Sequence, residues 1–261
     1  MEARTRTTFA HLSVMAALTA YTGAAGAAGF ALTENSASGL GNAYAGQAAV
    51  AQDATTIFAN PAGMSFLPGP QVVLGVAAID FSAKFSNNGS SIPALATITG
   101  SQPGDNGGNA GSLIPLGNFY ATLPLGEKFT IGIGVNVPFG LRTEYDDTWI
   151  GRFQGIKSNI TTINYNPAVA YKVTDTISIG AGVNYQFLQT DLTNAVATPA
   201  GEGLTELTAQ DAAWGWNLGA IFQISPDMRI GASYRSRLNY ELQGSANTTF
   251  NSNGASVPGA S

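Results

Sequence analysis

The chain has 261 residues, a net charge of −5 and only 10% charged side chains, with 32 glycines, no cysteine and a single histidine, His11. An acidic balance argues against nucleic acid as a partner, because phosphate contacts need clustered Lys and Arg. With no Cys, and its one His in a segment expected to be removed, the chain lacks the side chains for a Ser-His-Asp triad, a Cys-His pair or a His- or Cys-ligated zinc site, and neither an enzyme activity, a metal nor a cofactor is expected.

Residues 1–27 read as a secretory signal peptide: Arg4 and Arg6 form a basic start, Leu12 to Ala20 an apolar stretch, and Ala25-Gly26-Ala27 a small-residue cleavage site. The apolar stretch is shorter than the roughly 20 residues a bilayer-spanning helix requires. Removing Glu2, Arg4 and Arg6 with this leader leaves 9 basic and 15 acidic residues. No later run is long and apolar enough for a helical span, so membrane insertion, if any, falls to strands.

Residues 28–69 lack alternation and are rich in Ala and Gly. They contain Gly39-Leu40-Gly41, a short helix expected from Asn42 to Gln52, and Asn60-Pro61-Ala62-Gly63. A compact element fits better than a strand. Two readings stay open on the residues alone: a plug folded into a lumen that would otherwise leak, or a surface extension with a turn at Asn60-Pro61.

From residue 70 onward the chain alternates apolar and polar residues, the period-two signal of a sheet with two different faces. Strands are expected at Gln71 to Phe85, with a bulge near Ala77, at Asn118 to Leu125 and at Phe129 to Phe139. Thr161 to Val173, Ile177 to Phe187, Trp214 to Ile224 and Met228 to Tyr240 follow, each with one face of Ile, Val, Tyr, Trp or Phe and another of Gly, Asn, Ser and charge. Tight links at Gly126-Glu127, Thr174-Asp175 and Ser225-Pro226-Asp227 alternate with long polar loops, and aromatic residues crowd the strand ends. This is the pattern of an all-β, antiparallel transmembrane barrel with short periplasmic turns, long outer loops and a polar, wet interior. A secreted sandwich shares the alternation, but its strands average about five or six residues, whereas several here exceed ten, the length of a tilted membrane-crossing strand.

Several motifs occur in order just after the cleavage site: Ala28-Gly29-Phe30, Glu34-Asn35-Ser36-Ala37-Ser38-Gly39-Leu40-Gly41-Asn42-Ala43-Tyr44-Ala45-Gly46, Asp53-Ala54 and Asn60-Pro61-Ala62-Gly63-Met64. With Phe139 to Thr148, Trp214-Gly215-Trp216 and Tyr234-Arg235-Ser236, they resemble the FadL/TodX outer-membrane transporters of hydrophobic compounds across essentially the whole mature chain. The resemblance implies a fourteen-stranded barrel in the Gram-negative outer membrane, residues 28–69 as a hatch with short helices, and sideways release of ligand into the bilayer. It implies fatty acids or aromatic hydrocarbons as partners, surrounding outer-membrane lipid, and a monomer. About seven strands are counted over residues 70–261, which would leave an edge that hydrocarbon does not tolerate. A carboxyl-terminal truncation is therefore expected.

The resemblance places the hatch motif on Asn60, Pro61 and Ala62, a ligand contact on Phe30, and a strand kink that opens the wall on Pro138, Phe139 and Gly140. Proline cannot donate to a β ladder, so Val137-Pro138-Phe139-Gly140 is equally readable as a simple strand end. Arg235 and Arg237 are candidates to bind a carboxylate in the fork geometry Arg offers, against a solvated lumen ion network as the plainer reading. Trp149 and Ile150 are candidates for ligand capture on an outer loop, or else pack against a neighbouring loop. The competing functions are an adhesive barrel with a blocked lumen and a general porin.

Overall fold

The computed structural model describes residues 31–250 and 256–258, so the leader and Phe30 lie outside the described residues. From Leu32 the chain forms one compact unit. An amino-terminal segment carries helices α1 (Ala37–Gly41) and α2 (Thr56–Ala59) and a 3-10 turn, Pro61–Phe66. An antiparallel sheet follows: β1 (Gln71–Asp80), β2 (Leu113–Leu125), β3 (Phe129–Asn136), β4 (Gly140–Glu144), β5 (Lys157–Lys172), β6 (Ile177–Thr198), β7 (Gly201–Ser225), β8 (Met228–Arg235), β9 (Gln243–Phe250) and β10 (Ser256–Pro258). A third helix, α3 (Ala94–Ile98), lies in the β1–β2 loop. β4 continues β3 against β5, and β9 continues β8 against β7. Counted as wall strands, β1 to β9 make seven, half of a barrel wall.

The two faces of the ribbon differ as the alternation implies. On β1, Val72, Leu74 and Val76 are 67%, 77% and 80% exposed, whereas Asn164 on β5 and Thr162 beside it are fully buried. Such a surface, greasy outside and amide-rich inside, inverts the arrangement of a soluble protein and matches a wall facing lipid. Outward ring pairs add to it: Tyr185 with Trp214, Trp216 with Tyr234, and Phe129 with Tyr171, at centroid separations of 4.8, 5.2 and 4.8 Å.

Four expectations change. The helix falls at Ala37–Gly41 rather than Asn42–Gln52, and the chain beyond it turns repeatedly through Ala49. Ser36 Oγ caps Gly39 N at 2.7 Å, and Tyr44 OH folds back to the Ser36 carbonyl. That closure holds Ala43 and Tyr44 at φ 53° and 58°, left-handed values that end a helix. No bulge occurs near Ala77, because the β1–β2 register is unbroken from Gln71↔Thr122 to Asp80↔Leu113. The change of phase arises instead because the outer face is strongly apolar only through Val76, with Ala78 and Asp80 after it, while Ile79 faces inward. Strands β6 and β7 run 22 and 25 residues, so Leu188 to Ala213 is a paired hairpin rather than a polar loop. The inner face, finally, is dry where the amino-terminal segment covers it, with Asn136, Asn164, Asn166, Asn184 and Asn217 each 2% exposed or less.

Candidate functional site

The amino-terminal segment is seated on the inner face by its turn at Asn60. The amide of Asn60 donates to the carbonyls of Ala48, Ala220 and Ala232 at 2.6, 3.1 and 3.2 Å, and its Oδ1 accepts from Ala62 N at 3.1 Å. One side chain thus ties the segment to itself and to two wall strands, β7 and β8. Close approach demands glycine beneath it. A Cβ on Gly219 would lie 1.8 Å from Asn60 Oδ1, and one on Gly180 2.4 Å from Ala62 N, so both positions admit only hydrogen. Pro61 occupies the first position of the 3-10 turn, where its missing N–H costs nothing, and Ser178 Oγ donates to the Ala62 carbonyl at 2.9 Å.

Beside this seat runs a belt of amides. Asn136 Nδ2 donates to Asn35 Oδ1 at 2.8 Å, Asn164 Nδ2 to Asn136 Oδ1 at 3.1 Å and to Asn184 Oδ1 at 3.3 Å, and both Asn184 and Asn166 donate to Asn217 Oδ1 at 3.0 Å. The belt joins β3, β5, β6 and β7 and ends on Arg235 of β8, which donates to Asn184 Oδ1 and, at 2.9 Å, to the Phe58 carbonyl. The Arg235 guanidinium also lies 4.4 Å above the Phe58 ring. Asn166 has a further task, since Pro167 in mid-strand cannot donate to β6 and the Asn166 side chain supplies Val183 O with its bond, at 3.0 Å.

The wall is interrupted at Pro138. Register against β5 moves from Asn136↔Asn164 to Gly140↔Thr161, so three residues, Val137, Pro138 and Phe139, stand opposite two. Phe139 leaves the ladder and exchanges bonds with Thr162 Oγ1 at 3.0 and 2.7 Å. On the other side, β2 pairs with β3 only from Phe119 onward, and β4 has no partner there. A gap thus separates Leu113–Asn118 from the Pro138 to Glu144 stretch.

Residues 32–35 fill that gap. Leu32 N donates to Pro138 O at 2.9 Å, Tyr120 OH to Asn35 O at 2.9 Å, and Asn118 Nδ2 reaches Glu34 O at 3.4 Å. The Leu32 side chain sits against Gly140, where an added Cβ would lie 3.0 Å from its Cδ1. The strand therefore neither ends at Pro138 nor passes it unbroken. It bulges, and the amino-terminal segment supplies the partners the ladder lost. Next to this cork, the segment itself lines a small recess of about 40 Å³ whose mixed walls include Asn35, Ser36, Tyr44, Gln52, Thr55 and Phe58.

Other predicted residues are placed differently. Trp149 and Ile150 are 9% and 5% exposed. Trp149 stacks on Tyr145 at 4.0 Å, meets Phe85 edge-on at 5.4 Å and donates to Gly155 O at 3.0 Å. As arranged here the pair holds the outer loops together and presents no apolar surface for capture. Arg152 locks the same assembly, with two bonds to the Glu202 carboxylate at 2.7 and 3.0 Å and others to the carbonyls of Gln102, Pro103 and Trp149. These bonds hold the Glu202 carboxyl below the usual carboxylate range. Arg237 is exposed and away from the recess, in the stretch between β8 and β9. Leu32, Asn35, Tyr120 and Asn136, which make the cork, were not singled out by sequence. The recurrent inner-face asparagines were the available signal.

A half-wall with an apolar exterior, a buried amide interior, an inner segment seated on it and a corked break defines a membrane β-barrel of the plugged type. The family model described as "Outer membrane protein transport protein (OMPP1/FadL/TodX)" matches residues 18–261, and the chain belongs to this outer-membrane family. It is 32% identical over 268 residues to outer membrane protein P1 of Haemophilus influenzae, covering 88% of this chain and 58% of that protein. It is 26% identical over 275 residues to a long-chain fatty acid transport protein of Escherichia coli, covering 95% and 59%. Among solved structures, a Pseudomonas aeruginosa FadL homologue superposes with a TM-score of 0.65 at 22% identity, over 82% of this chain and 55% of that one. The Pseudomonas putida toluene transporter TodX gives 0.57 at 19%, over 78% and 55%. The chain thus spans well under two thirds of the length of these relatives.

Proposed function

We propose that this chain contributes the corked half of a passive outer-membrane channel for hydrophobic compounds, with long-chain fatty acids as the foremost substrate class. The supporting relatives are named for fatty acid transport and for toluene transport. Ligand enters past the outer loops, reaches a pocket above the amino-terminal segment, which acts as a hatch over residues 28–69, and leaves sideways at Pro138, Phe139 and Gly140. The observation that carries this reading is the gap between β2 and β4, filled not by wall but by Leu32–Asn35. A channel that discharged only into the periplasm would need no such interruption, since each unpaired backbone group in hydrocarbon costs several kcal/mol.

Arg235 is a positioning residue in this scheme. Its donors to Asn184 and Phe58 fix the hatch against the wall. Asn60, Pro61 and Ala62 seat the hatch. An adhesive barrel with a permanently blocked lumen is favoured by a separate observation, the dense bonding of Asn60. Uptake of oleate by proteoliposomes carrying the complete barrel, to which this chain contributes the corked half, decides between the two. Deleting Pro138 removes the one-residue excess and lets β4 continue the β3 register. Transport at Pro138 predicts a clear fall in uptake in that variant with the barrel intact, whereas undiminished uptake would reject the exit. Absence of uptake by the unaltered complete barrel would favour the blocked barrel.

A further inference from the structure

A second stretch of wall is interrupted. β8 ends its ladder at Arg235↔Asn217 and β9 resumes it at Gln243↔Gln210. Between them Ser236 to Leu242, seven residues, stand opposite the six from Asp211 to Trp216. Among the described residues only three bonds cross this stretch. Ser236 N donates to Trp216 O at 2.8 Å, Trp216 N to Ser236 Oγ at 2.9 Å and Glu241 N to Asp211 Oδ2 at 2.6 Å. Trp216 turns both its N–H and its C=O toward β8. By the two-residue period of a strand, Trp214 and Ala212 turn theirs the same way, and neither finds a partner there.

The intervening segment does not lie in the wall. Gly215 faces inward between outward Trp214 and Trp216, and a Cβ on it would lie 2.6 Å from Leu238 Cδ2 and 2.7 Å from Ser236 Oγ. Leu238 is therefore folded over the inner face, behind the line where a strand would run. The break begins at Ser236, the ninth residue counted from Met228, and Pro138 is the tenth residue of its strand counted from Phe129. With a rise of about 3.3 Å per residue and a tilt near 40°, both stand close to the outer edge of the roughly 25 Å apolar band. Trp214, 69% exposed, with Trp216 and Tyr234 marks that edge as an aromatic rim. Unpaired backbone at membrane depth is tolerated only where it is buried in protein or lines a watery cavity. Ala212 and Trp214 have no covering strand, so the inward Ser236–Leu242 segment is what stands between the break and the lumen.

We infer that the gap between β7 and the β8–β9 strand is a second lateral opening, through which an amphiphile passes between lumen and outer leaflet. Asp211, Arg237 and Glu241 give it a charged margin for a polar head, and the Trp214 and Trp216 rings give it an apolar side for a tail. The passenger's identity rests on the transport reading, whereas the opening itself does not.

The chain has no cysteine, so single thiols report cleanly. Ala212→Cys stands on the outer face beside the break, and Phe187→Cys, its partner in the register, stands on the same face and at the same height in unbroken wall. In proteoliposomes a charged maleimide should label Ala212→Cys about tenfold faster than Phe187→Cys, and oleate should slow the first rate alone. Equal rates, or a fast rate that oleate leaves unchanged, would overturn the opening. A Gly215→Cys/Leu238→Cys disulfide pins the inward segment, with its reduced form as the control for folding. Oxidation should lower oleate uptake roughly twofold if two exits act in parallel. Uptake equal in both states, with the labelling above, would show an opening that carries no traffic and would reject the passage. If the unaltered complete barrel takes up no oleate, the transport reading fails while the labelling still decides the opening.

Discussion

The β6–β7 hairpin and the β3–β4 strand are built from similar residues and meet opposite fates. In the hairpin, pairing runs without a break from Ile177↔Phe222 to Thr198↔Gly201, and the inner asparagines bond to one another. In β3–β4 a single extra residue at Pro138 unseats the ladder on one side and leaves β2 without a partner on the other. Inner-face Asn136 there turns to Asn35 of the amino-terminal segment. The lesson is that the same amide can close a wall or hold a separate segment of the chain against it. Which it does depends on whether a neighbouring strand is present to take its bond.

Breaking the seat of that removable piece should have the largest effect. Asn60→Ala removes two amide N–H donors, shared among three carbonyls, and one accepted bond at a fully buried site, and at about 1 kcal/mol net per bond it should undock the segment by roughly 3 kcal/mol. Protease cleavage within residues 45–66 of the folded barrel should rise accordingly, and unchanged resistance would show that packing alone seats the segment. Gly180→Val should act nearly as strongly by crowding Ala62, with an overpacking cost of about 1–3 kcal/mol. The same protease assay checks it.

Tyr120→Phe sharpens the comparison at the cork, where one bond to Asn35 O is lost and the ring stays. A change of about 1 kcal/mol is expected, read as faster hydrogen exchange at the Leu32 amide with none in the hairpin. The smallest effect lies in the outer loops. Arg152 depresses the Glu202 carboxyl, so its contribution is present at neutral pH, above the unfolded carboxyl value. It is lost as pH falls through the lower folded value. Limited proteolysis of residues 146–155 should accelerate in acid, and Glu202→Gln should bring that acid behaviour to neutral pH.

Much of this architecture was legible in the sequence. Alternation in Thr161 to Val173 and Ile177 to Phe187 revealed two-faced strands, because the period of a strand does not depend on its neighbours. Motif order revealed the family, and Asn60-Pro61-Ala62 the seat. What sequence could not show was partnership. Nothing local in Leu32 or Asn35 says that they will replace a strand at Pro138, and nothing in Trp149 says that its ring will stack on Tyr145 rather than face solvent. The helix expected from Asn42 failed for the same reason, since Ser36 and Tyr44 close a loop that propensity does not register. Pro167 reads as a strand breaker until the Asn166 side chain is seen to replace its missing donor.

The central claim is that Leu32–Asn35 form a movable stopper in the wall at Pro138. It is tested most directly by a Leu32→Cys/Gly140→Cys pair, because the Leu32 side chain meets Gly140, where an added Cβ would lie 3.0 Å from Leu32 Cδ1 and 3.9 Å from its Cγ. With the disulfide formed, oleate flux through the Pro138 gap should cease, and reduction should restore the rate of the reduced, unlinked protein. Exit at Pro138 would be contradicted if the oxidised and reduced forms delivered oleate to the bilayer at the same rate.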